Sequence, residues 1–264
     1  MAILGFIGMG NMGTAMISGT KKIFGNENII FHRNSVEKMI EFSTREGITY
    51  CESNVEVVRN AKYIILAVKP QMFEKIAEEI SSSLSPDNIL ISLAPGFTIQ
   101  QLTDIFKTDR IVRSMPNTPA MVGEGMTGVS FDKKILTESE IDDIIKIFES
   151  VGKMQIVEEK LINSVVCASG SSPAYVFMFI EALADSAVKC GLPRKDAYTF
   201  VAQTVLGSAK LMLETGMHPA ELKDMVCSPG GTTIAGVEEL EKNGFRKAIF
   251  SATDACFKKC GNIK

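Results

Sequence analysis

A basic surplus is missing from this chain: 28 lysines and arginines stand against 31 aspartates and glutamates, a formal net charge of −3. That weighs against nucleic acid as the main partner, because phosphate backbones call for a cationic surface. A local basic site for one small phosphate is still compatible with it. Histidine is scarce, with only His32 and His218. The six cysteines are scattered, and none sits in a C-x-x-C pair. Cys256 and Cys260 stand one helical turn apart, but no histidine cluster or second cysteine pair completes a ligand set. No metal is therefore expected, and the six read as reduced thiols of a cytoplasmic protein. Long apolar runs are also missing. The start of the chain is apolar but has no basic flank, and it reads as a buried first strand rather than a signal peptide. The longest later stretch, Ala174–Ile180, is stopped by Glu181 and is too short to span a bilayer. No membrane partner is expected. There is no tandem repeat and no low-complexity segment.

What is present is an ordinary globular composition, 45% hydrophobic and 22% charged. A chain of this size buries roughly 70–75% of its unfolded surface and needs no disulfide or metal to hold it. Short apolar runs near Ile3–Ile7, Ile29–Phe31, Tyr63–Val68, Ile89–Leu93 and Ile111–Val112 alternate with helical patterns such as Val36–Arg45 and Phe73–Ser82. This is the rhythm of βαβ units on a mostly parallel sheet. Weaker strands are expected near Thr127–Phe131 and Gln155–Val157. A helix at Glu138–Ser150 lies between them, opened by a Thr137/Glu140 capping box. After Glu159 the strand-like runs give out. Helical patterns cover Ala174–Lys189, Arg194–Glu214, Pro219–Met225, Thr232–Lys242 and a last helix after Gly244, with Gly191, Gly216 and Gly244 as stops. The expected fold is α/β: a Rossmann-like dinucleotide-binding domain over 1–159, then an all-helical domain over 160–264.

Gly8-Met9-Gly10-Asn11-Met12-Gly13 is a G-x-G-x-x-G fingerprint between the first strand, ending at Ile7, and a helical stretch from Thr14. The first glycine makes the tight turn, the second lets the backbone approach a pyrophosphate, and the third lets helix and strand pack closely. The helix start offers N–H groups and partial positive charge to that pyrophosphate. An NAD-binding fold usually places Asp or Glu about 20 residues on, to hold the ribose 2′-hydroxyl. Here the segment is Phe31-His32-Arg33-Asn34-Ser35, with no carboxylate. Arg33 suits a 2′-phosphate, with Asn34 and Ser35 as hydrogen-bond donors. The alternative is that Arg33 is an ordinary solvated loop cation. The expected cofactor is NADPH, with NADH as the less favoured carrier. Ala67-Val68-Lys69-Pro70 and Ala94-Pro95-Gly96 close two further strands, and such strand ends face the ligand crevice. Both also read as simple loop punctuation.

The second half carries the sharper pattern. The block Pro219–Gly236, with Ser228-Pro-Gly-Gly-Thr-Thr233 at its centre, closely resembles the signature of pyrroline-5-carboxylate reductases. Gly5–Met12, Ala67–Pro70, Met115–Ala120 and Ser169–Phe177 resemble other motifs of that family in the expected order, so the resemblance covers nearly the whole chain. It implies an NAD(P)H-dependent imine reductase, with a Rossmann domain, a helical dimerisation domain and an active site where the nicotinamide meets the partner subunit. It also implies that Ser228 and the backbone of Gly230, Gly231, Thr232 and Thr233 hold the substrate carboxylate, and that Thr233 hydrogen-bonds the ring nitrogen. Asn54 and Lys69 match cofactor-side positions. Four residues depart from the commoner pattern: Ser172 for Gly, Asn163 for Asp, Val166 for Thr and Pro95 for Ala.

The chemistry suits the residues. The Ser-Pro-Gly-Gly-Thr-Thr block leads into a helix as an anion nest, and a carboxylate fits it. Read without the resemblance, the same block is a Ser/Thr-capped helix start. A hydroxy-acid dehydrogenase usually needs a general acid/base, but neither histidine falls near the expected reacting centre. An imine that arrives protonated needs alignment and exclusion of water instead. Two other readings stand beside this one. A hydroxy-acid dehydrogenase of the same plan would draw its catalytic group from Glu181 or Lys189. A non-catalytic NADPH-binding protein would have no use for the nest.

Overall fold

The computed structural model describes residues 2–260. Met1 and residues 261–264, at the outer limits of the two expected domains, lie outside them. By contacts the chain divides into two compact units. One runs to Ser171 and takes the chain back from Cys256 onward; the other is Ser172–Ala255.

The first unit is built on one eight-stranded sheet: β1 (Ala2–Ile7), β2 (Ile29–His32), β3 (Thr49–Tyr50), β4 (Ala61–Leu66), β5 (Ile89–Ser92), β6 (Ile111–Met115), β7 (Gly125–Phe131) and β8 (Gly152–Ile156). Their order is β3-β2-β1-β4-β5-β6-β7-β8. Every pairing is parallel except β6 with β7. The order reverses between β1 and β4, and in doubly wound sheets ligands bind outside the strand ends at such a switch point. Strand alternation sends successive residues to opposite faces. Leu4, Phe6, Tyr63 and Ile65 join the core on one face, and Ile7, Ile64 and Leu66 join that on the other.

The helices of this unit are α1 (Asn11–Phe24), α2 (Val36–Glu46), α3 (Asn54–Asn60), α4 (Phe73–Ile80), α5 (Ile99–Phe106), α6 (Glu138–Glu149) and α7 (Ile162–Val165). The predicted capping box at α6 is present. Thr137 Oγ1 accepts from Glu140 N at 3.3 Å, and Glu140 Oε2 accepts from Thr137 N at 2.9 Å. Three of these helices, α3, α5 and α7, are not among those expected from the sequence. α3 is short and valine-rich, so it shows little period. α5 opens on Thr98 and Gln101, a capping box legible in the sequence. α7 runs directly into a π-helical turn, Val166–Gly170. Ile162, Val166 and Cys167 are buried, which keeps this stretch with the sheet unit as far as Ser171 although it follows Glu159.

The second unit consists of α8 (Ser172–Lys189), α9 (Arg194–Thr215), α10 (Pro219–Val226), α11 (Thr232–Lys242) and most of α12 (Phe245–Cys260). Its buried core is small: Ala184, Ala197 and Val201, between α8 and α9. Large apolar residues lie open on its surface, among them Phe177 (62%), Phe200 (64%), Leu213 (81%) and Phe250 (70%). One expectation needs correction here. The helical run Glu159–Lys189 is unbroken enough to cross a membrane by length and composition, whereas the sequence reading ended the apolar stretch at Glu181. Val165, Val166, Cys167 and Ala168 extend the apolar character of this run ahead of Ala174–Ile180.

Candidate active site

A cleft of about 630 Å³ lies at the switch point. Ile7, Gly8, Met9 and Gly10 line it from the end of β1, and Ala67, Val68 and Lys69 from the end of β4. His32, Arg33, Asn34, Ser35 and Asn54 also face it. Gly8 has φ +91°, a conformation that other residues rarely adopt. A Cβ there would stand 2.4 Å from Val68 Cγ1, and a Cβ on Gly13 would stand 2.7 Å from Gly8 O. Both glycines are therefore fixed by the protein itself. Gly10 is different: a Cβ there would meet no protein atom within 4 Å, although the residue lines the cleft. The backbone of α1 begins there with no side-chain cap, and no acidic residue lies in its first turn. An anion fits this helix start.

The charge around the cleft is positive. Arg33, Lys38, Lys69 and Lys75 line it, and none of their side chains has a hydrogen bond or ion pair with the described residues. Among the described residues Glu79 is its one lining carboxylate, and it accepts from Asn54 Nδ2 at 2.8 Å. Asn54 is 7% exposed, and its Oδ1 is buried without a hydrogen-bond donor among the described residues. An acceptor left open beside four cations fits a ligand that carries both phosphates and hydroxyl or amide donors.

Not every predicted residue lines this space. Asn11 and Met12 form the first turn of α1, and Pro70 opens a 3₁₀ turn beyond Lys69. Ala94 and Pro95 follow β5, one strand further along, and do not face the cleft. Ser35 serves as the N-cap of α2, its Oγ accepting from Lys38 N. Lys38 and Lys75 are not among the residues expected from the sequence. Lys38 had a usable signal, since it lies in the first turn of the helix that follows Arg33.

The Met115–Ala120 and Ser169–Phe177 motifs meet through Asn117. Its Nδ2 donates to Ser169 O at 3.1 Å, and its Oδ1 accepts from Met126 N at 2.9 Å. Gly170 fits tightly, since a Cβ there would stand 2.5 Å from Met115 Cε. Of the departing residues, Asn163 accepts from buried Arg113 at 3.3 Å.

In the helical unit, Ser228–Thr233 is a turn followed by a helix start. Gly231 N donates to Ser228 O at 3.0 Å, and Gly230 has φ +69°. Gly231 is the N-cap of α11, and no side chain caps that end. The side chains of Ser228, Thr232 and Thr233 have no hydrogen bond to the described residues. The alternative of a Ser/Thr-capped helix start is thus not what forms: no Ser or Thr side chain caps α11.

Comparison with known proteins agrees with both halves. Residues 159–263 match the family model described as pyrroline-5-carboxylate reductase dimerisation. Residues 3–96 match the one described as NADP oxidoreductase coenzyme F420-dependent. The pyrroline-5-carboxylate reductase of Escherichia coli K12 is 47% identical over 260 residues, covering 97% of this chain and 96% of that protein. The solved structure of the Streptococcus pyogenes 1-pyrroline-5-carboxylate reductase superposes with a TM-score of 0.88 at 32% identity, covering 98% of both chains. That of the Plasmodium falciparum pyrroline carboxylate reductase, solved with NADP bound, gives 0.86 at 33% identity, covering 99% of this chain and 97% of that one. A phosphate-ready cleft, an open turn at α11 and this degree of likeness along almost the whole length place the chain in the pyrroline-5-carboxylate reductase family.

Proposed function

We propose that this chain reduces 1-pyrroline-5-carboxylate to L-proline with NADPH, the last step of proline biosynthesis, in the cytoplasm. The observation that carries the reading is the open turn at Ser228–Thr233, whose hydroxyls and helix-start N–H groups are unused within the described chain. A single carboxylate matches that set of donors. The cationic cleft supports a phosphorylated nucleotide as the second reactant.

When bound, the cofactor supplies a hydride from nicotinamide C4 to the imine carbon. The residues have other work. Gly8, Met9 and Gly10, with the start of α1, bind the pyrophosphate. Arg33, joined by Asn34 and assisted by Lys38, holds the 2′-phosphate and sets the preference over NADH. Asn54 Oδ1 accepts from a donor of the cofactor, and Lys69 adds charge beside it. Ser228, Gly230, Gly231 and Thr232 orient the substrate carboxylate. Thr233 Oγ1 accepts from the iminium N–H, so nitrogen keeps its proton as the C=N bond becomes C–N. No histidine is needed for this, which fits a chain with two of them.

We further propose that the site is completed between two copies of the chain. The apolar surface of α8–α12 is far larger than its own core serves, and the dimerisation-domain match over 159–263 supports a second copy, rather than lipid, as its cover. The direct test is NADPH oxidation by purified protein given pyrroline-5-carboxylate, with proline measured as product. Turnover of a 2-oxo acid but not the imine would favour the hydroxy-acid dehydrogenase reading instead. Cofactor binding with no turnover on either would leave a non-catalytic NADPH-binding protein.

A further inference from the structure

Outside the reductase site, three sulfur atoms converge. Cys256 and Cys260 lie one turn apart on the same face of α12. Cys167, distant in sequence, is brought to them by the π-helical turn Val166–Gly170. Such wide turns inside helices recur at functional sites. All three Sγ atoms lie within 4.8 Å of one another. Cys167 and Cys260 are buried and Cys256 is half-buried, and none is in a disulfide. The Ser171 hydroxyl lies 3.3 Å from Cys256 Sγ.

We propose that Cys167, Cys256 and Cys260 form a trithiolate site for a thiophilic d¹⁰ cation, zinc(II) first among them. Thiolates bound to zinc at about 2.3 Å stand roughly 3.8 Å apart. The observed spacing closes to that by small rotamer changes, and Ser171 is placed to orient Cys256 from outside the ligand set. Burial pushes the Cys167 thiol up to about 12 and raises Cys260 as well. Two buried thiols and a half-buried third, packed this closely, do not ionise together unaided. A cation supplies the missing charge, and each thiol that binds it releases a proton. Affinity therefore rises with pH.

The location gives the site a task. Cys167 lies just before the chain leaves the sheet unit at Ser171, and Cys256 is where it returns. A cation held by all three ties the exit of the helical segment to its re-entry, a cross-link across most of a domain made without oxidation. It requires no part in hydride transfer.

The experiment is a titration of the reduced, metal-stripped full-length protein with cobalt(II), followed by zinc(II) competition. The expected result is one cobalt per chain, with thiolate-to-cobalt charge-transfer absorption that zinc abolishes. Cys167→Ser, Cys256→Ser and Cys260→Ser should each weaken binding by about 100-fold, while Cys190→Ser, at an exposed position, changes nothing. Should these variants fail to fold, protection of Cys256 from maleimide by zinc in the wild-type protein gives an independent reading. Absence of a charge-transfer band in folded wild-type protein would overturn the proposal. So would a band of unchanged affinity in all three variants, or maleimide labelling of Cys256 that zinc leaves untouched.

Discussion

Asn54 gives its side-chain N–H to Glu79 at 2.8 Å and keeps its Oδ1 buried, with no donor among the described residues, at the edge of the cleft. The pairing holds the amide in one orientation, so the open acceptor faces the same way in every molecule. Asn54→Ala removes that acceptor. NADPH should bind about 10-fold more weakly, the scale of one hydrogen bond to a buried partner, with turnover at saturating NADPH little changed. A fluorescence titration of the nicotinamide decides it. Unchanged affinity would mean that Oδ1 faces no part of the cofactor.

Arg33 and Lys38 both stand in the cleft, and neither side chain has a partner among the described residues. Arg33→Ala should lower the ratio of kcat/KM for NADPH over NADH by about 10-fold or more, and adding Lys38→Ala should lower it further. If the ratio stays put in the double variant, the 2′-phosphate is read elsewhere.

Gly10 and Gly13 should separate binding from folding. Gly13→Ala puts a methyl against Gly8 O at 2.7 Å and should cost stability by a few kcal/mol. Gly10→Ala meets no protein atom and should leave Tm nearly unchanged while weakening NADPH. Thermal melts with and without NADPH distinguish the two; equal melting temperatures for both variants would contradict the assignment.

Thr233→Ala should lower turnover by about 10–10³-fold, the range for losing one well-placed hydrogen bond at a reacting centre. Mixing it with Gly10→Ala protein, at an NADPH concentration too low for that variant to bind, tests the shared site. If each site draws on two chains, re-annealed mixtures regain about a quarter of wild-type activity. If each chain is self-contained, mixing restores nothing.

Glu140 predicts an acid limit on stability. Burial alone would raise its carboxyl, but the Thr137 N–H, Lys62 and Arg110 more than reverse this and bring it down to about 2. Its folded-state value is depressed, so its stabilisation is complete above the ordinary carboxylate range and is lost as pH falls from there through about 2. The loss should amount to roughly 3 kcal/mol. Urea unfolding of wild type and Glu140→Gln across that window measures it. The variant should show the shallower slope, and parallel slopes would remove Glu140 from the account.

Much of this was legible in the chain. The strand–helix alternation gave the parallel sheet because fully buried strands appear as unbroken apolar runs, and G-x-G-x-x-G has meaning only at such a junction. α3 was not legible, since seven residues rich in valine carry almost no period. α5 is legible through Thr98 and Gln101, the two residues of its capping box. In the cleft, Lys75 could not be found from spacing, because its relation to Arg33 is created by the sheet order. The cluster at Cys167 has the same character: Cys256 and Cys260 announce themselves by a four-residue step, but their third member arrives only through tertiary folding.

Ala184, Ala197 and Val201 are a thin interior for a segment of five helices. Where so little is buried within one copy, the second copy proposed above would give the helices their order, and assembly and folding would then share one equilibrium. Its midpoint then moves with protein concentration. Dilution acts on this half of the molecule as a denaturant, and an assay at trace enzyme reads the dissociation constant as much as the chemistry.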